Sequence, residues 1–335
     1  MAKRFLLFLA IVVLIPVLEA PANGAPAKVK IGIIYDVGGR GDKAINDAAA
    51  AGVDIAKKKF GLSNFDVREL VTTGIDFDRE NRIEFLAKAR YDLIIGVGPS
   101  FNEAMAFMSD EYPESQFAIV GSSGVESLNV SCMAFDMSQG AFLAGVMSAL
   151  NSKSGKVGYL GDVSNPRNLA NLRNFRAGVK YSGTKTKVLA TRVTTSVQAE
   201  ISAMSDKGSD IFFINWPGDG SVLAAVKKLA KPKKSIKIIG IRPEQYFIAT
   251  KDARKFLIGY INQRFDSAII DLFGAAVAGR TLTEIVDPVA GVFGRKYTLK
   301  NSGIDLISTK ANSASKIAIN RAKRAIISKK IVIVK

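Results

Sequence analysis

The chain contains no histidine, one cysteine (Cys132) and one tryptophan (Trp216) in 335 residues. Without histidine there is no Ser-His-Asp or Cys-His catalysis and no imidazole ligand for a metal. A lone cysteine excludes zinc fingers and any internal disulfide. Acidic residues are also scarce, 30 against 47 Lys and Arg, which leaves a formal charge of +17 and an isoelectric point near 9.8. That imbalance favours anionic partners such as a membrane leaflet, a cell-wall polymer or nucleic acid, and carries no information about fold. Apolar residues are plentiful: 48% of the chain is hydrophobic and mean hydropathy is +0.16. A sizeable core is expected, wholesale disorder is excluded, and the length suits two ordinary domains.

Lys3 and Arg4 precede an apolar run, Phe5 to Leu18, followed by the small-residue stretch Ala20-Pro21-Ala22-Asn23-Gly24-Ala25. Basic start, short apolar core and Ala-x-Ala exit are the parts of a secretory signal peptide, predicting export and cleavage near Ala22, with residues 1–22 as leader. The run is shorter than the ~20 residues of a spanning helix. No cysteine lies at its exit, so lipid attachment there is not expected. The expected location is periplasmic or otherwise extracytoplasmic. Cys132, within Ser131-Cys132-Met133-Ala134-Phe135, reads as a small buried hydrophobe.

Short β-branched runs recur at 29–35, 66–71, 92–97, 117–120, 157–160, 188–194, 211–215, 236–241 and 256–261. Most are apolar on both faces, the pattern of parallel strands covered on both sides. Between them lie stretches of helical period at 42–60, 139–150, 168–181, 199–207, 222–230 and 265–278. In the first, Ile45, Ala49, Gly52, Val53, Ala56 and Phe60 share a face, Asp42 can cap the start and Gly61 the end. This alternation predicts α/β architecture. The strands are too many for one sheet, and residues 28–36 are echoed at 155–162, so two doubly wound lobes are expected. The expected division is 28–137 plus 262–288 for the first lobe, 138–261 plus 289–312 for the second, and 313–335 as a basic tail or helix. Crossings near 136–140, 258–264 and 285–295 would form a hinge, with a ligand held between the carboxyl ends of the strands.

Catalytic signatures are missing. Gly38-Gly39-Arg40-Gly41 lacks the Lys-Ser/Thr of a phosphate loop, and Gly96-Val97-Gly98 lacks the third glycine of a dinucleotide fingerprint. There is no Gly-x-Ser-x-Gly elbow, and Asp76 and Asp78 read as loop and helix-cap residues. No enzyme activity, cofactor or metal is expected.

Residues 35–47, Tyr-Asp-Val-Gly-Gly-Arg-Gly-Asp-Lys-Ala-Ile-Asn-Asp, resemble the opening motif of the basic membrane protein (PnrA-like) family. The similarity runs on through 92–98, Tyr112-Pro113 with 117–119, 140–145, 155–158 and 173–180, and more weakly near 209–211, covering roughly residues 28–295. The resemblance implies a type I periplasmic-binding fold and a substrate-binding component of an ABC importer. The family is best known for purine nucleosides, with a membrane permease as partner.

Asp36 and Asn46 match family positions that hydrogen-bond the purine base. A turn role is the alternative for Asp36, and a plain helix-surface amide for Asn46. Where the family carries Ser-Phe, with the ring stacking on the base, this chain has Ala44-Ile45. Where it carries an acid for ribose hydroxyls, this chain has Arg242, and the family's next lysine aligns loosely with Gln263. Such changes suit a different, anionic or more polar ligand, unless Arg242 pairs with Glu244 or Asp266. Trp216, in a Gly/Pro/Asp turn, and Phe101, after Gly98-Pro99, are candidate replacement aromatics, whereas Phe213 reads as core. The expected ligand contacts are Asp36, Asn46, Phe101, Trp216, Arg242 and Gln263.

Residues 316–335 carry seven basic residues and no acid. They read as a solvated tail or as a basic amphipathic helix in peripheral contact with an anionic membrane. Loss of residues 1–22 hardly changes the net charge, so the excess is expected to be spread over the protein. No nucleic-acid module stands out. The functional expectation is an extracytoplasmic receptor for a nucleoside or related small polar ligand. The alternatives are a same-fold receptor for a different, anionic ligand and a surface-attached structural or adhesion protein.

Overall fold

A computed structural model describes residues 29–191, 196–215, 226–229, 235–241, 250–310 and 312–334. Strands β1 (Ile31–Tyr35), β2 (Val67–Val71), β3 (Leu93–Val97), β4 (Phe117–Val120) and β5 (Val130–Phe135) alternate with helices α1 (Ile45–Phe60), α2 (Asp76–Lys88) and α3 (Asn102–Glu111). Next come α4 (Met137–Asn151), β6 (Lys156–Leu160), α5 (Pro166–Tyr181), β7 (Lys187–Thr191), α6 (Val197–Asp206), β8 (Ile211–Ile214), β9 (Lys237–Gly240), α7 (Lys251–Arg254) and β10 (Leu257–Gln263). The chain closes with α8 (Phe265–Val277), β11 (Glu284–Asp287), β12 (Val292–Tyr297), β13 (Ile304–Ser308) and α9 (Ser313–Ile327).

Two sheets result. The first has the order β11-β12-β5-β4-β3-β1-β2 and the second β13-β10-β9-β8-β6-β7. All pairings are parallel except β11 with β12 and β13 with β10. Strands β1, β3, β4 and β8 are buried at every position, because helices cover both faces of each sheet. Helices α1 and α8 pack on one face of the first sheet, α2 and α3 on the other. The second sheet carries α4, α5 and α9 on one face and α6 with Ala253 of α7 on the other. β1 and β6 occupy the same place in their sheets, each between its lobe's second and third strands, which accounts for the sequence echo.

Helix α4 is buried from Gly140 to Ala149 and crosses α5 closely. A Cβ built on Gly178 would lie 1.9 Å from the Phe142 carbonyl oxygen, and one on Gly145 2.1 Å from that of Phe175. Only hydrogen at these two positions lets the backbones approach this far.

The chain passes between lobes after β5, after β10 and between β12 and β13, that is at 136, 264 and 298–303. The third crossing lies later than the sequence suggested. β12 is not part of the second lobe: it pairs in parallel with β5, from Gly294 opposite Cys132 to Tyr297 opposite Phe135. The second lobe therefore resumes only at β13. The strand β5 went unrecognised in the sequence because Val-Ser-Cys-Met-Ala-Phe has a single β-branched apolar residue. Cys132 is fully buried within it.

One aromatic ring from each crossing meets at the hinge. Phe135 stacks on Phe265 at 4.9 Å and on Tyr297 at 5.0 Å between centroids. The Asp136 N–H donates to the Tyr297 carbonyl, the Leu299 N–H to Gln139 Oε1, and the Arg264 N–H to the Gly303 carbonyl.

The C-terminus is not a solvated tail. Ser315, Ile319, Ala322 and Ile326 of α9 are buried in the core that α4 shares with the second sheet. Beyond the helix, Ile331 and Ile333 pack against the same core. The Asn174 amide of α5 exchanges two hydrogen bonds with the Val334 backbone, at 2.7 and 3.0 Å.

Candidate functional site where the sheet ends meet

The carboxyl ends of β1, β3 and β4 and those of β6, β8 and β10 lie at the hinge side of their sheets. A hydrogen bond between described residues joins the two groups: Arg167 Nη2, in the first turn of α5 after β6, donates to the Ser123 carbonyl after β4 at 3.0 Å.

Asp36 follows the last residue of β1. The loop behind it turns through Gly38, Gly39 and Gly41, all at positive φ, where a Cβ would be strained. The Asp42 carboxylate accepts from the N–H groups of Ala44, Asn46 and Asp47, and so caps α1. The turn contact to Gly39 N–H comes from the Asp36 backbone carbonyl. This leaves the carboxylate to turn elsewhere: Ser100 donates to Oδ2 at 2.6 Å and Arg79 Nη2 to Oδ1 at 3.1 Å. Burial by itself would raise the Asp36 carboxyl. Hydrogen bonds from Ser100, the Val37 N–H and Arg79, together with the Arg79 charge, outweigh it and hold the pKa below its ordinary value. An ionised carboxylate is an acceptor only, and this side chain remains 26% exposed.

Arg79 is buried on α2, its second arm on Asp76 at 2.6 Å and its guanidinium over the Phe101 ring at 5.6 Å. Phe101 itself is fully buried, packed beneath β3 with Ile34, Met105 and Ile119. It belongs to the core wall under Arg79 and does not reach the space between the lobes. Asn46 is also buried. Its Oδ1 accepts from the Asp36 N–H, and its Nδ2 donates to the Asp36 and Val37 carbonyls. The amide thus fixes the loop that carries Asp36. Gln263, half-buried at the end of β10, donates from Nε2 to the Ile241 carbonyl at 3.2 Å. Trp216 and Arg242 lie outside the described residues. Asp266, one candidate partner for Arg242, is bound by Arg264 at 2.8 Å.

Other side chains at these strand ends were not legible in the sequence. Arg79 stands 43 residues from Asp36, and nothing local marks the pair. Asn215 follows β8 and donates to the Tyr159 hydroxyl at 2.7 Å and Asn168 Oδ1 at 3.1 Å. Burial pushes the Tyr159 phenol up, partly offset by Asn215. On the outer rim Val37, Ile75 and Phe77 are exposed, and Phe77 sits between the two acids taken as loop and cap residues. Both acids lie in the first turn of α2, where Asp78 accepts from the Thr73 N–H and the Thr72 hydroxyl ahead of the helix, as a capping residue does. Among the described residues no group of three His, Cys, Asp or Glu side chains is placed to hold a metal. In the same residues no helix is long and apolar enough to cross a membrane.

The comparisons agree with this architecture. The model of the Bmp family, described as ABC transporter substrate-binding protein PnrA-like, matches residues 28–254. The CD4+ T-cell-stimulating antigen of Listeria monocytogenes serovar 1/2a is 27% identical over 267 residues, covering 74% of each chain. The ABC transporter nucleoside-binding protein BmpA of Lactococcus lactis subsp. cremoris is 26% identical over 333 residues, 93% of this chain and 92% of its own. Among solved structures, an ABC transporter solute-binding protein from Conexibacter woesei superposes with a TM-score of 0.67 at 19% identity, covering 91% of this chain and 98% of its own. A family match over more than half the sequence, on a fold of two hinged parallel-sheet lobes, makes this chain a member of the Bmp family of PnrA-like ABC transporter substrate-binding proteins.

Proposed function

We propose that this substrate-binding protein works outside the cytoplasm and takes a purine nucleoside or a related small polar ligand between its lobes, for delivery to an ABC permease. The observation that carries the reading is the Asp36 carboxylate, ionised, part-exposed and aimed by Ser100 and Arg79 from two other elements at a strand end. A fixed acceptor of this kind suits a ring N–H or a sugar hydroxyl. The similarity to a Lactococcus protein named for nucleoside binding supports the same class. Capture would follow from closure about the hinge, the closed form being the one the permease recognises. Gln263 is assigned to the facing wall, and Trp216 and Arg242, outside the described residues, remain candidate contacts on the sequence alone.

A thermal-shift and calorimetric series tests this: inosine, guanosine, adenosine and uridine, against ribose, inorganic phosphate and nucleoside monophosphates. Purine nucleosides are expected to raise the melting temperature by linkage, and Asp36→Asn to weaken them at least tenfold. A shift with monophosphates or phosphate alone would replace the neutral ligand with an anionic one. No shift with any solute, or unchanged nucleoside binding by Asp36→Asn, would overturn the site.

A further inference from the structure

The positive charge is not spread over the protein. The segments forming the second lobe, residues 138–261 and 304–335, hold 28 Lys and Arg against 8 acids, while the rest of the chain holds 19 against 22. Within that lobe two stretches, 163–199 and 306–335, contain no acid at all. They are distant in sequence but adjoin in space: α5 and α9 flank α4 on one face of the sheet, and the Asn174–Val334 hydrogen bonds lay the chain end across α5.

Each helix turns one stripe inward and the other outward. On α5 the exposed stripe carries Arg173, Arg176 and Lys180, at i, i+3 and i+7. On α9 it carries Lys316, Arg321 and Arg324. Lys323, at the edge, pairs with Asp305. Aliphatic side chains stand among these cations: Ile317 is 61% exposed, Ile327 42% and Val332 82%. A nucleic-acid strand would call for several aromatic stacking faces along a groove, whereas this layer offers cations interspersed with aliphatic groups and one part-exposed ring, Tyr181 at the end of α5. That combination suits a lipid headgroup layer, where basic residues meet phosphates and short apolar side chains enter the acyl boundary.

We propose that the α5–α9 face of the second lobe docks peripherally on an anionic phospholipid bilayer, holding the receptor beside the membrane independently of its ligand. The single cysteine is buried in β5, so a thiol-linked lipid has no accessible attachment point on the described domain.

The test is co-sedimentation of the purified protein with phosphatidylcholine vesicles, with and without 30% phosphatidylglycerol. Binding is expected only with the anionic lipid and is expected to fall at least tenfold between 50 and 500 mM salt. Arg321→Glu with Arg324→Glu should reduce it at least tenfold. Two controls carry the same charge change: Lys58→Glu with Lys59→Glu on α1 of the first lobe, and Lys227→Glu with Lys228→Glu on the opposite face of the second lobe. Both should retain binding, with circular dichroism and unaltered melting confirming that every variant folds. Equal loss in all three, binding to neutral vesicles, or binding to heparin and duplex DNA but not to vesicles would each overturn the proposal. Nucleoside thermal shifts, read without lipid, report separately on the cleft.

Discussion

Arg167, in the first turn of α5, donates from Nη2 to the backbone carbonyl of Ser123 in the opposite lobe. Away from the hinge, this bond ties the two sheet ends together. Arg167 is exposed, so a charged hydrogen bond here contributes ~0.5–1 kcal/mol after allowance for solvent. Arg167→Ala should therefore shift the open–closed balance two- to fivefold toward the open form. Small-angle scattering of the unliganded protein should show a larger radius of gyration, and an unchanged radius would remove Arg167 from any role in closure.

Asp36 gives a pH signature with a defined sign. Its carboxyl titrates below its ordinary value in the folded protein, whereas the unfolded chain has a pKa of about 3.9. The stabilisation is thus complete above about pH 5 and is lost as pH falls through the folded-state value. The melting-temperature gap between wild type and Asp36→Asn should be constant from pH 5 to 8 and narrow toward pH 3. A gap that widens in acid would contradict an ionised Asp36.

Arg79 serves as a positioning residue. Replacement by Met removes hydrogen bonds to both Asp36 and Asp76 and should cost about 1–3 kcal/mol in urea unfolding. Arg79→Lys should recover only part of this, because an ammonium cannot reproduce the planar fork that serves two carboxylates over the Phe101 ring. Full recovery would mean that charge alone suffices.

Gly178→Ala places a methyl group where the Phe142 carbonyl already lies. The α4–α5 crossing must widen, at a cost of about 2–3 kcal/mol. A unit substitution at exposed Gly183, where nothing stands within 4 Å of an added Cβ but φ is +74°, should cost closer to ~1 kcal/mol. Denaturant midpoints for the two variants check the ranking.

The sequence disclosed most of the parallel sheet and little of the site's wiring. Nine strands are visible because they are short and β-branched and most are apolar on both faces, as in β1 and β3. β5 lacked that composition, and β11, β12 and β13 lie at sheet margins where half-exposed residues such as Arg295 and Asp305 blur the pattern. Asp36 stands out in the sequence through its match to a family position just beyond a buried strand. Its partners do not, since Arg79 and Ser100 approach from other elements. Asn46 and Phe101 read as ligand contacts in the sequence, but burial directs the amide to the loop backbone and the ring to the core. The docked C-terminus was hidden for a related reason. The apolar stripe of α9 was plain, but only Asn174, half a chain away, fixes where the last residues lie.

The three rings at the hinge, Phe135, Phe265 and Tyr297, each belong to a different covalent link between the lobes. Three links sharing one stack cannot flex separately: slack in one is taken up by the other two. Twisting and shearing of the lobes should thereby be resisted more than a swing about the stack, so that closure on a solute, as proposed, would bring the same pair of walls together each time.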